Sequence, residues 1–165
     1  IEAFLDSAKH EHKVQTKKGH DHSSEKIKKR SFALSELMEM VKPKNIPETV
    51  QVNFPKNNFQ VLGNFYKLVV VLSNLVENSI EAMKSNGVIN ISAREGSDYV
   101  LIEIKDSGPG IPDELIKKVF SSLYTTKPDG NGLGLKISKT IIELHGGTIS
   151  VRNNPTTFSI KLPKS

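Results

Sequence analysis

The run from Asn64 to Lys84 constrains this chain more than any other stretch. Phe65, Leu68, Val69, Leu72, Leu75, Val76, Ile80 and Met83 recur at helical spacing, so one face of a long helix is built for burial. Asn74, Asn78 and Glu81 fall at i, i+4 and i+7. At about 100° per residue they form a narrow stripe opposite the apolar face. A solvated helix face usually carries Lys and Glu, because Asn is a mediocre helix former. Two carboxamides one turn apart are therefore either an ordinary polar surface or a set of oxygen donors, of the kind that holds Mg²⁺.

The rest of the composition sets bounds. At 165 residues the chain fits one domain with an attached helical or polar piece. No apolar run reaches the roughly 18 residues of a membrane span, and no signal peptide is visible. There is no Cys, hence no disulfide framework and no thiolate metal site. Residues 1–30 hold eight Lys/Arg and five Asp/Glu, which places +3 of the net +5 in that segment. It lacks the aromatic interleaving of a nucleic-acid surface, so it reads as a solvated tail and no nucleic-acid partner is expected.

Along the chain, Ile1 to Lys9 has the spacing of an amphipathic helix end, which suggests that something longer precedes it. Residues 9–30 read as a polar linker. His10, His12, His20 and His22 lie there, and without a rigid frame they read as solvent-exposed rather than as a metal site. Ser35 to Val41 reads as a short helix stopped by Pro43. Alternation marks strands at 49–54, 88–93, 99–105, 148–152 and 157–162. Glu95-Gly96-Ser97-Asp98 joins the second and third of them as a hairpin. Asn57-Asn58 reads as a turn and Asn86-Gly87 as the stop of the long helix. Asp113 to Phe120 is a short helix opened by Pro112, and Leu135 to Leu144 is another, stopped by His145-Gly146-Gly147. Residues 121–132 lack periodicity and are long for a plain connection, so they read as a lid. The fold class that follows is α+β: a two-layer α/β sandwich with a mixed sheet of about five strands and about three helices on one face.

Two glycine constellations carry further chemistry. In Asp106-Ser107-Gly108-Pro109-Gly110 a strand-end carboxylate precedes two glycines, where backbone approaches a ligand closely. Such a carboxylate accepts from an exocyclic amino group like that of adenine, although D-x-G-x-G is also an ordinary turn. In Gly130-Asn131-Gly132-Leu133-Gly134-Leu135 glycines expose main-chain N–H groups where a helix begins, which suits phosphate oxygens. It is neither a Rossmann fingerprint nor a Walker A loop, because the spacing is G-x-G-x-G and no G-K-[ST] follows. Thr125, Thr126 and Lys127 offer hydroxyls and a cation to the same anion.

In this order, the Asn-bearing helix, D-x-G-x-G and G-x-G-x-G resemble the N, G1 and G2 boxes of the Bergerat-fold ATPases. That group holds sensor histidine kinases, type II topoisomerase ATPase domains, MutL-type proteins and chaperone ATPases. The resemblance runs from about Phe32 to Pro163. Within the group, N-L-V-E-N-S-I-E-A-M is similar to the N box of sensor histidine kinases. Val119-Phe120 through Thr125-Thr126-Lys127-Pro128 is similar to the F box of the short-lid members. The resemblance implies that Asn78 ligates Mg²⁺ with help from Asn74, and that Asp106 binds the adenine amino group. Gly108, Gly110 and Ile111 then shape the base pocket. Thr125, Thr126, Lys127, Gly130, Gly132, Leu133, Gly134 and Leu135 serve the phosphates of ATP. Thr156 matches a threonine that supports adenine, although Pro155 stands where the family carries Gly.

The ATPase branches carry Glu one turn before the metal-binding Asn, as general base for water. Here that position is Asn74, and a carboxamide takes up no proton near neutral pH. Glu77, about 60° round the wheel from Asn74, is the nearest carboxylate in sequence. The expectation is a protein-histidine kinase domain, with Asn74, Glu77 and Lys127 as its catalytic candidates. It would pass phosphate to a histidine on a dimerisation hairpin and thence to a response regulator receiver domain. The acceptor histidine is expected outside these residues, with Ile1 to Lys9 as the last turns of that hairpin. The full-length protein is expected to be a cytoplasmic homodimer, with a membrane anchor on the parent left open. A nucleotide-dependent interaction module of the same fold is the alternative.

Overall fold

The computed structural model describes residues 27–43, 46–121 and 133–164. A two-stranded antiparallel ribbon opens it, β1 (Arg30–Ala33) pairing with β3 (Gln60–Gly63). Between them lie helix α1 (Leu34–Val41) and strand β2 (Val50–Asn53). Helix α2 (Phe65–Ala82) follows, then β4 (Gly87–Glu95), β5 (Tyr99–Asp106), the single turn α3 (Asp113–Ile116), helix α4 (Gly134–Leu144), β6 (Thr148–Arg152) and β7 (Thr157–Pro163). The main sheet has the order β2-β4-β5-β7-β6, with β2 parallel to β4 and every other pair antiparallel. This is the mixed five-stranded α+β sheet expected from the alternating runs.

One face of that sheet is apolar. Ile89, Ile91, Val100, Ile102, Ile104, Phe158, Ile160 and Leu162 are buried against the helices, while Asn90, Arg94, Lys105, Ser150 and Lys161 are exposed on the other side. Period-two alternation permits this division, because successive side chains of a strand point to opposite faces. The sheet core meets α2 through Leu68, Leu72, Leu75 and Val76, and α1 joins through Leu34, Leu37, Met38 and Val41. Asn64 caps α2 by accepting from Lys67 N at 3.1 Å.

The structure corrects four expectations. The ribbon strands β1 and β3 are additional; each is four residues long and runs almost directly into a helix, so no alternating run stands apart. Helix α3 ends at Ile116 and continues only as turns to Ser121. Lys84 and Ser85, both at positive φ, turn the chain out of α2, and Gly87 already begins β4. The stripe of Asn74 and Asn78 is half-buried rather than open to solvent, because α4 packs along that flank of α2.

Candidate functional site

Asp106 is the last residue of β5 and is 2% exposed. Its parity with Ile104 sends the carboxylate to the helix side of the sheet. There Ser79 Oγ of α2 donates to Oδ2 at 3.0 Å, and Gly108 N donates to Oδ1 at 2.9 Å. Burial pushes the carboxyl above the ordinary aspartate range, while the Gly108 amide and the Ser79 hydroxyl pull it back. An acidic group held this deep, with acceptor capacity left over, is a receptor for an N–H donor.

Thr156 lies across the ladder from it. Asp106 N donates to Thr156 O at 3.0 Å, extending the register in which Ile104 faces Phe158. Thr156 is 5% exposed, and its Oγ1 finds no hydrogen-bond partner among the described residues. Buried hydroxyls are rarely left so, since desolvation without a bond costs about 1–3 kcal/mol. Two polar side chains, one ionisable and one unsatisfied, therefore lie side by side at one end of the sheet. The turn after Asp106 folds over them. Gly110 adopts φ +91°, and Ile111 is gripped by Asn153, whose Oδ1 accepts from Ile111 N at 3.0 Å and whose Nδ2 donates to Ile111 O at 2.6 Å. A Cβ on Gly108 would fall 2.8 Å from Asp106 Oδ1 and 3.3 Å from Met83 Cγ, so a side chain there would crowd the carboxylate.

The carboxamides lie on α2, whose buried Ser79 reaches Asp106. Asn74 Nδ2 donates to Ser138 Oγ of α4 at 3.0 Å. A Cβ on Gly134 would fall 2.5 Å from Asn74 Oδ1, so the glycine leaves the room that the Asn74 carboxamide occupies. Asn78, one turn on, is half-buried, and its side chain makes no hydrogen bond among the described residues. Glu77 is exposed. The described part of α4 begins at Gly134 with no side-chain cap and no acidic residue in its first turn. Uncapped first-turn N–H groups with positive dipole character are suited to an anion.

The structure thus brings Asp106, Gly108, Gly110, Ile111 and Thr156 together at the sheet end, and Asn74 against Gly134 with Leu133 and Leu135 beside it. Thr125, Thr126, Lys127, Gly130 and Gly132 lie outside the described residues, as do His10, His12, His20 and His22. Sequence reading missed Ser79, Ser138 and Asn153. Ser79 and Ser138 had a signal: each is a small hydroxyl on an otherwise apolar helix face.

Residues 63–165 match the family described as histidine kinase-, DNA gyrase B-, and HSP90-like ATPase. Over 122 residues the chain is 37% identical to the C4-dicarboxylate transport sensor protein DctB of Rhizobium meliloti (strain 1021), covering 72% of this chain and 20% of that protein. It is also similar to the solved, nucleotide-free catalytic domain of the histidine kinase ThkA, at 35% identity and TM-score 0.75, covering 84% of this chain and 99% of that one. A structure of ThkA in complex with the response regulator protein TrrA matches at 33% identity and TM-score 0.73, covering 84% of this chain and 42% of that one. The chain spans about a fifth to a third of the length of the curated relatives it matches.

Proposed function

We propose, from the premise that the chain belongs to the histidine kinase-, DNA gyrase B- and HSP90-like ATPase family, that it is the Mg·ATP-binding catalytic domain of a two-component sensor histidine kinase. Its reaction is transfer of the γ-phosphate of ATP to a histidine on a separate helical hairpin. The partners this implies are that dimerisation hairpin, in a full-length homodimer, and the receiver domain of a response regulator.

The observation that carries the reading is the pair at the sheet end. A buried carboxylate with spare acceptor capacity and a buried, unsatisfied Thr156 hydroxyl match an exocyclic amine beside a ring nitrogen, the edge that adenine presents. Gly108, Gly110 and Ile111 wall the base. The triphosphate then runs toward the uncapped start of α4, where Gly134 and Leu135 offer main-chain N–H groups. Leu133, Gly130, Gly132, Thr125, Thr126 and Lys127 complete the phosphate side.

The donor set also fits magnesium. Asn78 presents a hard carboxamide oxygen not engaged by any described residue, and Asn74 stands one turn before it. Among the described residues no three His, Cys, Asp or Glu gather into a metal cluster, so an ion here would be held mainly by phosphate oxygens and water, as Mg²⁺ prefers. When bound, the ion neutralises developing phosphate charge.

Transfer is favoured over hydrolysis by what surrounds the phosphate end of α2. Asn74 gives its N–H to Ser138 and cannot act as a base, and Glu77 faces solvent. Water near the γ-phosphate is thus not activated by these side chains, whereas positioning of an external imidazole needs no base on α2. The test is binding and transfer with the purified chain. Mg·ADP should bind, and Asp106→Asn should weaken it about 10- to 100-fold, the worth of a hydrogen bond to a charged group. Asn78→Asp should change the Mg²⁺ dependence of binding. Labelled ATP should mark a histidine of a separately supplied hairpin. Wild-type binding with both variants unimpaired refutes the site. Brisk release of free phosphate without a hairpin refutes the kinase assignment.

A further inference from the structure

We infer that Ser138 is a positioning residue of the phosphate site, acting through Asn74. Ser138 is 1% exposed in the middle of α4, among Ile137, Ile141 and Ile142. A hydroxyl so placed adds nothing to an apolar seam. Among the described residues its cross-helix hydrogen bond is the 3.0 Å one from Asn74 Nδ2. With the amide end of Asn74 held there, the carbonyl oxygen is fixed on the other side, against the Cα of Gly134. Gly134 opens the helix whose first-turn N–H groups face the anion. One hydrogen bond therefore sets both the rotamer of Asn74 and the distance between the Asn-bearing face of α2 and the start of α4.

Without the Ser138 hydroxyl, Asn74 would keep its contact with Gly134 only by van der Waals packing. Its half-buried amide would be free to turn to another acceptor, and in the proposed site the phosphate oxygens would offer one. A donor turned onto those oxygens competes with the cation for them. Loss of Ser138 should accordingly weaken the magnesium-dependent part of nucleotide binding, not the adenine part anchored at Asp106 and Thr156. Groups that orient a primary ligand commonly change metal affinity or activity by 10- to 100-fold.

This inference rests on the proposed Mg·ATP site. The experiment compares the wild-type chain, Ser138→Ala, Ser138→Thr, Asn74→Ala and the Ser138→Ala/Asn74→Ala double variant. ADP affinity is titrated with and without Mg²⁺. The Asn74 side-chain amide is followed by NMR in the nucleotide-free chain, and melting temperature serves as the folding control. Ser138→Ala is expected to broaden or shift the Asn74 amide signal with no ligand present. It should also weaken Mg·ADP binding about tenfold, with magnesium-free ADP binding unchanged. Ser138→Thr should restore both, and in the Asn74→Ala background Ser138→Ala should add nothing. An unmoved Asn74 signal, equal losses with and without Mg²⁺, or additive losses in the double variant would overturn it. Failure of the wild type to bind Mg·ADP would instead sink the nucleotide site itself, and the NMR arm would still judge the Ser138–Asn74 bond.

Discussion

Protonating His145 would set two hydrogens face to face. Its Nδ1 lies 2.7 Å from Ile141 O, which can only accept, so Nδ1 carries the proton; its Nε2 is bare and accepts from Asn64 N at 2.9 Å. The ring is 1% exposed, and burial holds its pKa below the ordinary value, opposed by the Ile141 carbonyl and reinforced by Lys29 and Lys67. A depressed histidine is neutral when folded, so the unfolded chain takes up the proton first as pH falls. The stability it contributes is full above the unfolded value of about 6.5 and declines as pH drops below it toward the folded value. Urea unfolding between about pH 7.5 and 5.5 (about a unit either side of the ordinary histidine value) should show that slope in the wild type and a shallower one in His145→Gln. Asp106 has the opposite sign. Its folded pKa is raised, so its contribution is present below the unfolded value of about 3.9 and lost as pH climbs through the folded one. At neutral pH the ionised carboxylate burdens the empty domain, and Asp106→Asn should melt no lower than wild type while losing nucleotide. Asn74, Asn78 and Asp106 were legible in the sequence because each is a polar type where periodicity or strand ending makes it conspicuous. Thr156 was legible only by likeness to a family. Its burial comes from the ladder opposite Asp106, a long-range pairing that no local pattern displays. The serines were not read at all, since one hydroxyl on an apolar face looks like a packing gap.

Helices α2 and α4 run antiparallel, joined at one end by Asn64 and His145 and nearer the other by Asn74 and Ser138. The closeness of that second contact depends on a missing side chain. Gly134→Ala puts a methyl 2.5 Å from Asn74 Oδ1, and either the Asn74 carboxamide or the start of α4 must shift. The expected result is a folded chain with Mg·ADP affinity reduced about tenfold or more, given the sensitivity of such sites to groups that orient a ligand. Leu72, buried about 160° round α2 from Asn74, tests packing alone. Leu72→Ala should cost about 2–5 kcal/mol in chemical denaturation and leave the site of surviving folded molecules intact. Long periodic elements were the easiest to read: α2 and the four longer strands hold enough residues for a period to declare itself. The ribbon strands hold four each, and Gln60–Gly63 abuts the helix that follows, so their pairing is a tertiary fact.

At the scale of the whole molecule, a single apolar core between helices and sheet carries the fold, and the site occupies the sheet end and helix flank where that core is interrupted by polar groups. The leading segment is fastened to the opposite end of the helix pair. Lys29 Nζ donates to His145 O at 2.8 Å, and Asn64 Nδ2 donates to Lys28 O at 3.2 Å. Lys29→Met should lower stability by about 1 kcal/mol, one intramolecular hydrogen bond's net worth, measurable as a shift of the urea midpoint at constant slope. The strand number of the mixed sheet followed from counting alternating runs, whereas the strand order came only with the structure. The fastening did not, because it joins residues 116 apart through a backbone carbonyl, an acceptor every residue possesses.

That fastening gives the domain a handle. Lys28 and Lys29 grip the rear ends of both rails, which carry Asn74 and Gly134 farther forward. A twist applied at that grip would be shared between the two rails where they are already pinned to each other, and would steer them as a yoke rather than pry them apart.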